Sequence, residues 1–177
     1  MHEKTLTSKT VFTGKLLRFE VQDVELENGQ KAYREIIRHP GAVAVLARAT
    51  DGRFVFVRQF RKAVELTMTE VIAGILERGE APEAAAHREL REETGYDAAK
   101  LTHLGRIFPS PGYVDEVIDV YFAELAMGPG PKNPDWDEHV ETVMMSAAEF
   151  EAKVRSAEIQ DAKTMAAWAM YKVRIQA

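Results

Sequence analysis

Gly74-Ile75-Leu76-Glu77-Arg78-Gly79-Glu80, then Ala81 to His87, then Arg88-Glu89-Leu90-Arg91-Glu92-Glu93-Thr94-Gly95-Tyr96, reads as a loop that feeds a helix. Pro82 suits a first helical turn, where its missing N–H leaves nothing unsatisfied, and Glu83 to Glu93 consists almost wholly of good helix formers. Gly95 stands where a helix end takes a left-handed residue, so the helix is expected from Pro82 to Thr94. On it Glu89 and Glu93 are four apart and Glu89 and Glu92 three apart, which stacks their carboxylates over about one turn of one side. Like charges at that spacing repel, so positive charge is expected beside them. Arg88 and Arg91 can neutralise part of the cluster, while oxygen ligands crowded on one rigid face are also what a hard divalent cation requires. An arbitrary Glu pair on a helix is ordinarily just a solvated acidic face.

The spacing decides between these readings. Gly74, five residues, Glu80, seven residues, then Arg88-Glu89-apolar-x-Glu92-Glu93-x-Gly95 fix seven identities. At about 7% background usage each, a random sequence meets them roughly once in 10⁸ start positions. The stretch resembles the Nudix box, the signature of the Nudix hydrolases, at all seven positions. The resemblance implies an α/β fold, an α/β/α sandwich around a mixed sheet. It implies metal held by the carboxylates of Glu89 and Glu93, helped by Glu92, and by the backbone carbonyl of Ala73. Mg²⁺ is the expected ion, with Mn²⁺ as the alternative. Arg88 is then expected to orient the carboxylates through charge-assisted bonds, and Gly74 to let backbone approach metal and diphosphate closely. Glu80 serves the metal site or its architecture.

Beyond the box, Arg38-His39-Pro40-Gly41-Ala42-Val43, Val57-Arg58-Gln59-Phe60-Arg61, Ser110-Pro111-Gly112 followed by Asp115-Glu116, and Asp161-Ala162-Lys163-Thr164 resemble the ADP-ribose pyrophosphatase branch of that family. Pro111 follows Gly95 by sixteen residues, where the branch keeps its marker proline. Ile72 stands where the branch often has proline. The resemblance implies Mg²⁺-dependent hydrolysis of ADP-ribose to AMP and ribose 5-phosphate by a homodimer. The competing readings are hydrolysis of another nucleoside diphosphate sugar such as GDP-mannose, and a catalytically silent nucleotide-binding Nudix module. Arg38 and Arg61 are placed by resemblance near phosphate or the distal ribose, Glu116 at the same end, and Gly74, Pro111 and Gly112 along the substrate. A catalytic base is expected from the acidic loop after the box, among Asp135, Asp137, Glu138 and Glu141. Glu138 is chosen, because it has the longest reach of the loop acids and lies in register with a family acid. Trp136 cannot accept a proton, and Glu141 adjoins a strand.

The chain has 177 residues, a net charge of -5 and no cysteine. That length suits one compact domain with a small appendage. With no basic stripe to track a phosphate backbone, nucleic acid is not an expected partner. Disulfides, thiolate metal sites and a Cys nucleophile are excluded. No apolar run of about 18 residues is present, so no membrane association is expected and the compartment is read as cytoplasmic.

Thr5 to Phe12, Leu16 to Leu26 and Lys31 to Arg38 are expected strands, the last two joined at the hairpin signal Asn28-Gly29. In the second, Leu17, Phe19 and Val21 share one face. Three such strands lack an independent core, so residues 1–40 are read as N-terminal strands that dimerise and 41–177 as the hydrolase domain. Ala42 to Ala47 is an uninterrupted apolar run, expected of a central strand buried on both faces. Arg53 to Arg61, Leu101 to Phe108, Val117 to Leu125 and Thr142 to Met145 are further strands. Ser146 with Glu149 forms a capping box for a helix from Ala147 to Ser156. A last helix, Asp161 to Val173, carries Met165, Ala166, Trp168, Ala169 and Tyr171 or Lys172 as an apolar stripe.

Overall fold

The computed structural model describes residues 1–131 and 140–176, which fall into two compact units. The first unit comprises Met1–Gly41 together with Phe108–Val117. Strands β1 (Glu3–Thr13), β2 (Arg18–Leu26) and β3 (Lys31–Arg38) form an antiparallel sheet in that order. The β2–β3 hairpin turns at Gly29, whose φ of 80° is open to glycine at little cost. Leu16 and Leu17, expected at the start of β2, belong instead to the preceding turn, where the Gly14 N–H donates to the Leu17 carbonyl at 2.8 Å. Phe108–Val117 runs along β3: the Ile37 N–H donates to the Tyr113 carbonyl at 2.8 Å and the Asp115 N–H to the Ile37 carbonyl at 3.1 Å.

The best-buried face of β2 is its polar one. Glu20, Gln22 and Val24 are buried, whereas Phe19 and Val21 on the expected apolar face are half-buried. Burial is tolerated because the polar groups are satisfied locally. Glu20 pairs with Arg38 and Arg18, each at 2.9 Å, and Gln22 donates to Ser8 at 3.3 Å.

The second unit comprises Ala42–Ile107 and Ile118–Ala177. Its mixed sheet is ordered β10-β5-β4-β9-β8, with β4 (Ala42–Arg48), β5 (Phe54–Arg61), β8 (Ala98–Ile107), β9 (Ile118–Leu125) and β10 (Glu141–Met145). Among the described residues only the β4–β9 pairing is parallel within it. Two short strands, β6 (Leu66–Glu70) and β7 (Ile72–Ile75), pair with β5 and β4 respectively. Neither was expected as a strand. β4 explains the layering: Ala42, Ala44 and Leu46 face one core, and Val43, Val45 and Ala47 the other. The odd side packs Ala85, Ala86 and Leu90 of α1 (Pro82–Thr94), and the even side packs Phe150 of α2 (Ala147–Arg155) and Ala167 and Tyr171 of α3 (Ala162–Arg174). The unit is therefore an α/β/α sandwich.

The helix ends follow their sequence signals. α1 begins at Pro82 and ends where Gly95 turns left-handed at φ 77°. Ser146 and Glu149 close both arms of a capping box on α2. The buried stripe of α3 is Thr164, Ala167 and Tyr171, with Trp168 beside it, while Met165, Ala169 and Lys172 of the expected stripe are exposed. The rotation follows from Thr164, whose hydroxyl is drawn inward by a buried backbone N–H of Val71. Among the described residues no helix is long and apolar enough to cross a membrane.

Candidate active site

Glu89 and Glu93 share the inner face of α1 with Ala85, Ala86 and Leu90, and retain only 8% and 2% exposure. Carboxylates desolvated one turn apart disfavour the doubly charged state unless positive charge stands close by. Glu92, three residues from Glu89, is half-buried. β7 lies beside the helix, and its Gly74, paired with Val43, touches Glu89. A β-carbon built on Gly74 would fall inside the Glu89 carboxyl group. Only glycine leaves room for that carboxylate.

Arg88 organises the rest. Its Nε and one terminal nitrogen clasp Glu80, both at 2.9 Å, and that second nitrogen also donates to the Ile75 carbonyl at 3.2 Å. Its remaining nitrogen donates to Glu89 at 2.6 Å and Glu92 at 3.1 Å. All five guanidinium donors are therefore used. Glu80 holds the Arg88 pKa far above its ordinary value, more so than Glu89 and Glu92, and Arg88 in turn holds the Glu80 carboxyl below the usual range. Glu80 also accepts the Glu77 N–H at 3.1 Å, so it shapes the loop between β7 and α1. Arg91, expected to help neutralise the cluster, turns away to Asp97 at 2.5 Å.

The donor set is oxygen-only, clustered on a rigid helix and partly desolvated, with Ala73 on the neighbouring strand. That chemistry suits a hard divalent cation and no soft one. Among the described residues no three His, Cys, Asp or Glu side chains stand in the array of a formed metal site. Glu89 and Glu92 are turned toward Arg88 instead.

The expected substrate residues fall in both units. In the first, Arg38, Pro111 and Gly112 line one pocket with Gln22, Val24 and Ile36. Arg38 is held there by Glu20 at 2.9 Å and Asp115 at 3.0 Å, two partners that sequence reasoning missed. The alternation of Glu20 with Gln22 on one strand face was the available signal. Glu116 stands off that pocket, 3.7 Å from His39. In the second unit Arg61 meets the buried Glu70 side-on, at 2.8 and 2.7 Å, and Glu70 also takes Lys163. Burial pushes the Glu70 carboxyl up, and its bond to Arg61 with the nearby Lys163 more than reverses this, leaving it below the usual range. Glu141 opens β10 with its carboxylate on Arg58 at 3.2 Å. Glu138, Asp135 and Asp137 lie outside the described residues.

A family model described as NUDIX domain matches residues 38–168. The chain belongs to the Nudix family. An ADP-ribose pyrophosphatase of Bacillus subtilis (strain 168) is 46% identical over 165 residues, covering 93% of this chain and 89% of its own. The methanol dehydrogenase activator of Bacillus methanolicus is 41% identical over 93% of this chain and 90% of its own. Among solved structures, one titled as an ADP compounds hydrolase superposes with a TM-score of 0.86 over 99% of this chain and 95% of its own, at 24% identity. That likeness shows the Nudix fold, including the N-terminal strands. Nudix enzymes of the pyrophosphatase type depend on a divalent metal.

Proposed function

We propose that this Nudix protein is a cytoplasmic, homodimeric enzyme that hydrolyses the pyrophosphate bond of ADP-ribose to AMP and ribose 5-phosphate with Mg²⁺. The observation that carries the substrate is the 46% identity, over nearly the whole chain, to an ADP-ribose pyrophosphatase. The box geometry supports the chemistry. In this reading Ala73, through its carbonyl, and Glu89, Glu92 and Glu93 hold the metal. When bound, a divalent cation neutralises diphosphate charge and acidifies a water at the phosphorus.

The chain's own residues do the rest. Arg88 bonds Glu89 and Glu92 and holds them on one side of the helix, and through Glu80 it fixes the loop that leads from Gly74. Arg61 offers the edge of its guanidinium not engaged by Glu70, which suits a phosphate oxygen. Arg38, fixed by Glu20 and Asp115 beside Pro111 and Gly112, suits the distal end of the substrate, with Glu116 nearby in sequence. Glu138 remains the proposed proton acceptor.

The test is a hydrolysis panel of ADP-ribose, GDP-mannose and a nucleoside triphosphate, each with Mg²⁺ and with Mn²⁺, with products separated by chromatography. AMP and ribose 5-phosphate should dominate. A kcat/KM for GDP-mannose exceeding that for ADP-ribose would transfer the assignment to that sugar, and no turnover of any substrate would leave a binding module.

A further inference from the structure

β6 pairs with β5 and β7 with β4, so the chain changes partner between Glu70, opposite Val57, and Ile72, opposite Val45. Val71 sits at the crossing and is fully buried, out of reach of water. A buried backbone N–H at such a point needs a side-chain acceptor. Thr164 Oγ1 supplies it at 2.9 Å. The hydroxyl is itself fixed, donating to Asp161 Oδ2 at 2.5 Å, an oxygen that also receives the Thr164 N–H at 2.9 Å as the N-cap of α3.

The same helical turn grips the residue before the crossing. Lys163 Nζ pairs with Glu70 and with Asp161 Oδ1, the latter at 3.0 Å. Glu70 is the group that holds Arg61 side-on. Two residues beyond Val71 stand Ala73 and then Gly74, which faces the Glu89 carboxyl with no room for a side chain between them. We propose that Thr164 is a positioning residue for the metal site, through Val71 and the Ala73–Gly74 strand, and that Lys163 is a positioning residue for Arg61, through Glu70. The proposal rests on the reading of Ala73, Glu89, Glu92 and Glu93 as metal ligands and of Arg61 as a phosphate ligand.

Thr164→Val keeps the shape and removes the acceptor, while Thr164→Ser retains it. Mn²⁺ is titrated into each protein without substrate, the free ion being followed by electron paramagnetic resonance, and kcat and KM are then measured on the nucleotide sugar that the parent hydrolyses. Thr164→Val should weaken Mn²⁺ binding by about tenfold, the low end of the losses that follow when the support of a metal site is removed, with Thr164→Ser within about twofold of the parent. Lys163→Met should raise KM by about tenfold with kcat and Mn²⁺ affinity within about twofold, and Lys163→Arg should restore KM. Parental Mn²⁺ affinity in Thr164→Val, or equal losses in Val and Ser, overturns the first assignment, and parental KM in Lys163→Met overturns the second. If Thr164→Val does not fold, Asp161→Ala, which removes the oxygen that holds the same hydroxyl, takes its place, and parental Mn²⁺ affinity there overturns the assignment equally. A parent that binds Mn²⁺ but leaves ADP-ribose intact refutes the substrate reading alone, whereas a parent that binds no Mn²⁺ refutes the metal site and this proposal with it.

Discussion

Glu89 rests its carboxyl group against the bare α-carbon of Gly74, so a strand residue with no side chain sets where a helix carboxylate can stand. Gly74 does not need a left-handed backbone, and its role is space alone. Gly74→Ala should therefore fold, because the displaced group is the far end of a flexible side chain, at a cost of about 1–3 kcal/mol for overpacking. It should lower kcat by roughly 10²-fold, as expected when a ligand's support is lost. Thermal melting and steady-state kinetics on the same preparation check both halves. A kcat within about twofold of the parent would mean that the contact has no part in the reaction.

Glu93 is the most deeply buried carboxylate of the box. Glu93→Gln keeps the shape of the side chain and removes its charge, so the fold should stay intact. Turnover should fall by several orders of magnitude, because a neutral amide is a poor ligand for a hard cation. A variant that keeps more than about a tenth of the parental kcat, roughly 1.4 kcal/mol in barrier, would remove Glu93 from the metal site.

The parts of this structure that were legible in the sequence are those where one residue carries the signal. Pro82 and Gly95 bound α1, Ser146 and Glu149 cap α2, and the run from Ala42 marks the strand buried on both faces. β6 and β7 were hidden because the first is half polar and the chain changes partners between them, so neither shows a clean period. The ligand candidates on α1 were legible because helical spacing fixes which carboxylates share a face. The bonds of Arg88 to Glu89 and Glu92 follow the same spacing, whereas the partners of Arg38 and Glu70 were not legible, since pairs such as Arg38–Asp115 and Glu70–Lys163 join residues far apart in the chain. The buried face of β2 was hidden for the same reason: Glu20 and Gln22 are made tolerable by partners such as Arg38 and Ser8.

Glu70 links stability to pH. Its carboxyl is held below its ordinary value despite burial, by Arg61 and Lys163. Between the folded value and the unfolded value of about 4.3, the unfolded chain binds more protons, so stability rises with pH across that window. The contribution is complete above about pH 5 and is lost as pH falls through the folded value. Glu70→Gln should lower the melting temperature at pH 7, because two cations lose their partner, and should flatten its fall as pH drops below about 5. Part of the slope will remain, since Glu80 and Glu20 are depressed by Arg88 and Arg38. The partial exposure of Arg61 moderates the effect through solvent screening. Parallel melting curves for parent and variant over this range would show that Glu70 does not titrate as described.

β1 has no residue that its own unit buries: all eleven are exposed, and it forms one edge of its sheet. Its apolar side chains are concentrated where pairing with β2 is irregular. Leu6 lies at one register shift and Val11 at the other, with Phe12 next to it. Phe12 is 62% exposed and Val11 47%. A long edge strand carrying exposed apolar groups is a template for association unless it is covered, and the covering surface proposed here is a second copy of the chain. Val11→Lys together with Phe12→Asp places opposite charges on that strand without touching a buried residue. Sedimentation equilibrium should give the parent about twice the 19.9 kDa chain mass and the double variant the single mass. The circular dichroism of the variant should match the parent, because nothing in either core has changed. A parent that sediments at the single-chain mass at micromolar concentration would show that β1 stays uncovered by a second copy, and with it the homodimer would have to be given up.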